Sequence, residues 1–233
     1  MSLPNQIMAH FDSGPKHRII RIENDAIANQ AKPGQQLRVD DSTLPIMRSN
    51  TKAGWVECLY LPEFHASLAN TPAGDVVDLQ WLNKPGFSIE EGAHSVLLVG
   101  EGLGLAPILF LSLRLEKAQK QMALLGTRDS FPFRPHPSHI VLPSLPGNVI
   151  ATMPMLEERR IPCRLAHTQD APGCYDGSVI ELAQLWLENG AQERCGPARI
   201  YASGVDPSFE EQIGVLAANY ALPHQFILLE SSG

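Results

Sequence analysis

Residues 95–107 constrain this chain more than any other stretch, reading Ser-Val-Leu-Leu-Val-Gly-Glu-Gly-Leu-Gly-Leu-Ala-Pro. The unbroken apolar run Val96–Val99 reads as a strand buried on both faces of a parallel sheet. Glycines at 100, 102 and 104 allow a sharp turn and bring bare backbone N–H groups close to a ligand. Pro107 suits the first helical position, where its missing N–H would have no partner anyway. Strand, glycine turn and helix N-terminus together predict an anion site, and the pyrophosphate of a nucleotide is its expected occupant. The same residues also fit a tight turn that holds no ligand. The spacing is not G-x-G-x-x-G, because Leu105 stands where the third glycine would fall.

The chain has 233 residues, 44% hydrophobic and 18% charged, enough to bury a core and too apolar for disorder. A net charge of −7 with no basic cluster argues against nucleic acid as the partner. No apolar run approaches the ~20 residues of a membrane span. The first residues, Met-Ser-Leu-Pro-Asn-Gln, lack a basic and an apolar export region, so the expected location is cytoplasmic. Cys58, Cys163, Cys174 and Cys195 are too scattered for a metal motif and read as reduced, buried thiols. Cys174 has no base nearby in sequence and is read as structural.

Two halves with different rhythms follow. Up to about Gly92, short β-like runs (17–23, 36–39, 45–51, 55–60 and 76–81) alternate with Pro/Gly turns, which suggests a small antiparallel β-barrel. Beyond it, strands are expected at 96–99, 122–125, 139–142, 164–167, 198–202 and 225–229. Helices are expected at 107–121, 153–159, 178–189 and 208–220, the first with Leu109, Leu113 and Ala118 inward. That alternation predicts an α/β doubly wound parallel-sheet nucleotide-binding domain. The expected division is 1–92 and 93–233.

The turn Gly100-x-Gly102-x-Gly104-x-Ala106-Pro107 resembles the G-x-G-x-G-x-A-P turn of the ferredoxin–NADP reductase superfamily, although Glu101 puts a carboxylate beside the expected pyrophosphate. Four further segments fit that family in order. Lys32-Pro33-Gly34-Gln35 is similar to the turn before its second barrel strand, and Ala73-Gly74-Asp75-Val76-Val77-Asp78 to the start of the last one. Gly126-Thr127-Arg128 resembles its G-x-R, and Tyr201-Ala202-Ser203-Gly204-Val205-Asp206-Pro207 its nicotinamide loop YxCGPxP. Among members, the chain most resembles the electron-transfer subunit of dihydroorotate dehydrogenase, in its short barrel and in the Leu229-Glu230 that follows the final strand. Its cysteine-bearing iron–sulfur tail has no counterpart in this sequence, so no iron–sulfur cluster is expected.

The resemblance implies FAD in the barrel and NAD(P)H in the second domain. The family's R-x-Y-S strand is matched by Arg48-Ser49-Asn50-Thr51, with Asn50 in the aromatic place. A second register, Leu44-Pro45-Ile46-Met47 against R-P-x-S, loses the arginine. Ser67 falls where the family opens a helix at the flavin pyrophosphate, and it also reads as an ordinary N-cap. Gly100, Gly102, Gly104 and Pro107 are the expected nucleotide-pyrophosphate set. Arg128 is the candidate for a 2′-phosphate, and Ser203 with Gly204 for the nicotinamide. No catalytic acid, base, nucleophile or metal is expected. The implied activity is a FAD-dependent NAD(P)H oxidoreductase, an electron-transfer protein passing electrons to a protein redox partner. The alternative is a degenerate, non-catalytic nucleotide- or partner-binding subunit that keeps the reductase fold. A hydrolase would need a G-x-S-x-G elbow that the sequence lacks.

Overall fold

The computed structural model describes residues 5–82, 84–90, 95–115, 120–189 and 198–230. Its first half contains β1 (Gln6–Ser13), β2 (His17–Glu23), α1 (Asp25–Gln30), β3 (Gln36–Val39), β4 (Ser42–Asn50), β5 (Trp55–Tyr60), α2 (Ala66–Asn70) and β6 (Leu79–Leu82). These strands form an antiparallel sheet in the order β1-β2-β5-β4-β3-β6. The chain just before β6 returns to β1. Ile7 N–H donates to Asp75 O at 2.9 Å and Val77 N–H to Asn5 O at 3.0 Å, which closes the sheet into a barrel. Ile20, Ile22, Leu37, Leu44, Ile46, Val56, Cys58 and Tyr60 fill it.

The second half contains β7 (Ser95–Glu101), a 3-10 turn (Gly102–Gly104), α3 (Leu105–Arg114), β8 (Lys120–Thr127), β9 (His136–Pro137), β10 (Ala151–Thr152), α4 (Pro154–Glu158), β11 (Cys163–His167), β12 (Tyr175–Asp176), α5 (Val179–Glu188), β13 (Ala198–Gly204), α6 (Pro207–Asn219) and β14 (His224–Leu228). Its parallel sheet runs β12-β11-β8-β7-β13-β14. Alternation along β7 divides the core: Val96 and Leu98 pack with α3 and α4, whereas Leu97 and Val99 pack with α5 and α6. Both faces are therefore covered, as an unbroken apolar strand requires. The order reverses at β7, whose neighbours β8 and β13 lead to opposite edges. In such sheets ligands bind beyond the strand ends at this reversal.

Two expectations need correction. Helix α3 ends at Arg114 rather than running to Gln121, and Lys120 and Gln121 already pair with Ser95 and Val96 as strand. Leu113 is half-buried on α3, while Ala118 and the expected boundary at Gly92 lie outside the described residues. Residues 139–142 form no strand. Val141 is 83% exposed, and the buried Arg164 guanidinium donates to the carbonyls of Ile140 and Val149. A side chain thus satisfies what a ladder would, while Pro137, Pro143 and Pro146 have no N–H to contribute. The place beside β8 goes to β11, with Cys163 opposite Ala123.

On the barrel's outer face, the fully buried Glu57 carboxylate accepts from two arginines. Arg21 reaches Oε1 through Nη2 at 2.6 Å and Nε at 3.0 Å, and Arg48 reaches Oε2. Trp55 lies beneath both guanidiniums, 4.3 Å from Arg21 and 5.6 Å from Arg48. Two cations share one buried anion, so removing the anion leaves both unpaired. Glu57→Ala is expected to cost ~3–5 kcal/mol, read as a lowered urea midpoint. A loss below about 1 kcal/mol would show that the cluster is screened by solvent.

Candidate functional site

The site begins where β7 ends. Gly102 has φ +57°, and a Cβ there would meet nothing within 4 Å. Gly104 is different, because its Cβ would lie 2.0 Å from the Ser203 carbonyl oxygen. Packing of the turn on β13 therefore demands the third glycine, while the second gives the left-handed bend and leaves open space above it. Pro107 is the third residue of α3, which starts two residues earlier than its proline suggests. It still lies in the first turn, where N–H groups have no helical partner.

Around this turn the charges are mixed. Glu101 ends β7, Arg128 follows β8 and Asp206 caps α6, accepting from Ser208 N–H at 2.8 Å. Arg128 stands 3.6 Å from Glu101 Oε1 and 3.9 Å from Asp206 Oδ2, with its side chain 67% exposed. Burial pushes the Glu101 carboxyl above its ordinary range; Arg128 draws it down and Asp206 pushes it up again. A crevice of about 180 Å³ lies between Glu101, Arg128, Thr168, Ser178, Phe209 and Gln212, bordered by the N-termini of α5 and α6. The α5 start is already capped from within: Ser178 Oγ accepts from Glu181 N–H at 3.2 Å, and the Glu181 carboxylate accepts from Ser178 N–H at 2.7 Å.

Ser203 pairs with Gly100 across β13 and β7, so it lies at the reversal point. It is fully buried, and its hydroxyl donates to the Ile227 carbonyl at 2.9 Å. Gly204 comes next, where a Cβ would meet the Phe209 ring. The turn glycines, Pro107, Arg128, Ser203 and Gly204 are therefore one constellation, with the Ser203 hydroxyl turned into the sheet.

The residues expected at a flavin are not gathered in the same way. The Arg48 guanidinium belongs to the Glu57 cluster. Asn50 Oδ1 accepts from Lys52 and Ala53 N–H, both at 3.0 Å, closing the β4–β5 turn in which Thr51 is exposed. Ser67 is exposed on α2, beyond the other end of β5. Asn50 lies opposite Trp55 at the start of β5, so the length of a six-residue strand, about 20 Å, separates it and Thr51 from the end that leads to Ser67, with Arg48 opposite Glu57 in between.

An apolar cavity of about 350 Å³ lies instead between the barrel and α3. Ile19, Met47 and Leu59 form its barrel wall, and Leu105, Ala106 and Leu109 its helix wall. Phe133, Met153 and Met155 complete it, and Asp12 and Arg134 are its charged lining residues. From sequence, Met47 was visible through the second register, and Leu105, Ala106 and Leu109 through the glycine turn and its helix; Ile19, Leu59, Phe133, Met153 and Met155 come from four further segments that share no motif. Carbon and sulfur atoms dominate its walls, so the cavity suits an apolar group.

Buried Cys163 and Cys174 have their thiols pushed up to about 11, and burial raises Cys58 further. None of these three is a thiolate nucleophile at neutral pH. Cys195 lies outside the described residues. Among the described residues, no group of three or more His, Cys, Asp or Glu could hold a metal, and no helix is long and apolar enough to cross a membrane.

No family profile matches this sequence, and no curated protein matches it. Solved structures do. The NADH-dependent reduced ferredoxin–NADP oxidoreductase studied for flavin-based electron bifurcation is similar at TM-score 0.68 and 16% identity, over 97% of this chain and 76% of that one. The flavohem-like FAD/NAD-binding domain of nitric oxide dioxygenase from Vibrio cholerae gives 0.65 and 11%, over 96% and 99%. A mutant ferredoxin–NADP+ reductase from Plasmodium falciparum in complex with 2′P-AMP gives 0.61 and 8%, over 96% of each chain. The chain thus has the fold of the FAD- and NAD-binding ferredoxin reductases, an antiparallel barrel followed by a parallel α/β sheet.

Two outcomes follow from this geometry. Gly104→Ala must displace backbone and is expected to cost ~1–3 kcal/mol. Gly102→Ala meets open space and pays only for φ, at most about 1–2 kcal/mol, so a urea melt should rank Gly104→Ala the more damaging. The second concerns pH. Because the folded chain raises the Glu101 carboxyl, that group favours folding below its ordinary value of 4.5, and the contribution is lost as pH rises through the folded value. Glu101→Gln should therefore gain stability relative to wild type as pH rises above the ordinary value of 4.5. A pH-independent difference in melting temperature would contradict this.

Proposed function

We propose that the chain is a flavin-linked NAD(P)H oxidoreductase, with residues 93–233 taking the nucleotide, residues 1–92 forming most of the flavin side, and an external redox partner accepting the electrons. One observation carries this reading. The start of α3 borders both sites, since Gly104 closes the glycine turn while the next two residues, Leu105 and Ala106, line the apolar cavity. Hydride transfer needs two rings held in contact, with reacting atoms about 3–3.5 Å apart. A helix start shared by both pockets is a rigid way to set that distance.

The chain's own residues bind, orient and exclude water. The open space above Gly102 admits a phosphate to the backbone at the end of β7. Arg128 is poised for a 2′-phosphate, given the exposure of its side chain and its loose carboxylate partners. Met47, Leu59, Leu105, Ala106 and Leu109 exclude water from a ring in the cavity. When bound, a flavin supplies the ability to accept a hydride and to release electrons singly. Such a role is similar to that of the electron-transfer subunit of dihydroorotate dehydrogenase.

A second reading has its own support. The Ser203 hydroxyl bonds within the sheet and the Arg48 guanidinium within the barrel, both away from any cofactor. These two commitments favour a nucleotide- or partner-binding subunit without turnover.

Anaerobic mixing of the protein with flavin and either nucleotide separates the two readings. Bleaching of the flavin absorbance with NADPH faster than with NADH is expected, and Arg128→Ala should reduce the NADPH advantage about tenfold. No bleaching with either nucleotide leaves the binding subunit. Equal rates with both in the wild type would remove the role of Arg128.

A further inference from the structure

We infer that one ligand site spans two adjoining pockets, with a flavin ring in the apolar cavity and its phosphate arm in a polar groove held by Lys16, His17, Arg18 and Arg134. The inference rests on the flavin reading above. The cavity holds about 350 Å³, near the lower end of the ~300–1,000 Å³ typical of small-molecule pockets. It takes one head group and leaves the rest of a flavin nucleotide outside. A polar groove of about 720 Å³ adjoins it, and Asp12 and Gly14 line both. Gly14, at φ +71°, lies in the turn between β1 and β2, where a Cβ would stand 2.1 Å from the Phe131 carbonyl oxygen. The turn is thus pressed onto the second half of the chain, which fixes the junction between the pockets.

The chemistry of the groove suits a phosphate. Lys16 and Arg18 line it, and Arg134 is exposed on the lining of the cavity next door. Against these three cations the two linings set only two carboxylates, Asp12 and Glu63, in a chain of net charge −7. The cations are loosely held. Lys16 meets Asp129 at 2.6 Å and Arg18 meets Asp12 at 2.9 Å, both exposed pairs, and the Asp12 side chain is 84% exposed. Arg134 makes no ion pair among the described residues. Exposed pairs contribute little, so a phosphate accepting charge-assisted hydrogen bonds competes for these groups. His17 supplies an independent observation. It lines the groove at 7% exposure, and its Nδ1 is buried with no hydrogen-bond partner among the described residues. Burial pushes its pKa down to about 4, so the ring is neutral at pH 7 and Nδ1–H can donate to a ribityl or phosphate oxygen. An orphaned buried polar atom is costly, and a ligand oxygen in the groove satisfies it. The arm is therefore held from the β1–β2 side, while Arg48 stays with the buried Glu57 carboxylate.

The test is a calorimetric titration of the purified full chain with riboflavin, FMN and FAD at low and high salt. FMN and FAD are expected to bind about tenfold tighter than riboflavin at low salt. High salt should shrink that advantage to about threefold or less and leave riboflavin unchanged. Lys16→Gln and Arg134→Gln should each cut the low-salt advantage about threefold without altering riboflavin binding. His17→Phe keeps a ring of similar volume and removes Nδ1. It should weaken FMN and FAD about tenfold while riboflavin, still bound, reports that the variant is folded. Lys52→Gln, which removes an exposed charge from the β4–β5 turn, should change nothing. Equal affinity for the three flavins, a phosphate advantage that survives Lys16→Gln, Arg134→Gln and His17→Phe, or one lost with Lys52→Gln, would overturn the inference and leave the flavin reading standing. Failure of all three flavins to bind would overturn both.

Discussion

The packing of helix α3 between barrel and sheet is the interaction on which the remainder of this molecule depends. Eight of its ten residues, Leu105 to Ser112, are buried, so it has no solvent face in the ordinary sense. Phe110 enters the barrel core beside Ile46 and Cys58, while Ile108, Leu109 and Leu111 join the cluster under β7 and β8. At its C-terminal end Arg114 donates to Ser49 Oγ at 2.8 Å, tying the helix to β4. A helix apolar all round is stable only when covered on every side. Here the barrel supplies one cover and the parallel sheet the other. Neither half can keep its core if they part, because Phe110 leaves one core as α3 leaves the other.

That double burial also fixes the site. The turn, the cavity and the inter-domain contact are parts of a single helix start, so a displacement of α3 moves all three together. Smaller ties hold the rim in register. Lys16 bridges to Asp129 at 2.6 Å, and Gln36 exchanges two hydrogen bonds with the Glu230 backbone at 3.0 and 3.2 Å. Tyr201 donates to Ser88 O at 3.1 Å while its ring meets Phe87 edge-on. The exposed ion pair contributes little alone. The tyrosine and glutamine bonds span the two halves from the opposite side, so the joint is pinned at several places.

Sequence reading succeeded where the signal was local and failed where it was not. The Val96–Val99 run, the glycine turn and the alternation after it were legible because buried parallel strands and helix starts carry their own composition. Strand β1 was not, since its residues Gln6-Ile-Met-Ala-His-Phe-Asp-Ser follow no clean alternation and only Ile7 is buried; it exists because the barrel needs a neighbour for β2. The apolar trio 140–142 imitated a strand, and only the distant Arg164 shows why it is not one. The site divides in the same way. That the glycine turn, Arg128, Ser203 and Gly204 lie together was readable from motifs. The roles of Arg48 and Ser203 were decided by Glu57 and Ile227, residues that no motif connects to them.

The charged end of the candidate site turns on one guanidinium and the anions that compete for it. Glu101 and Asp206 hold Arg128 at 3.6 and 3.9 Å, beyond good hydrogen-bond length, and its side chain is largely exposed. Pairs of that kind are worth at most about 1 kcal/mol. A phosphate within hydrogen-bond reach of Arg128 would accept two charge-assisted hydrogen bonds and compete with both carboxylates, neither of which stands at that distance. Asp206 loses little, because it keeps the Ser208 N–H at the start of α6. Glu101 has no such second partner and is half-buried, in a place that already favours its neutral form. Loss of its Arg128 counter-ion would push the carboxyl further in the direction in which burial already drives it. The carboxylate that looked like an obstacle in the sequence is therefore tied to Arg128, and whatever engages the guanidinium also shifts the balance between charged and neutral Glu101.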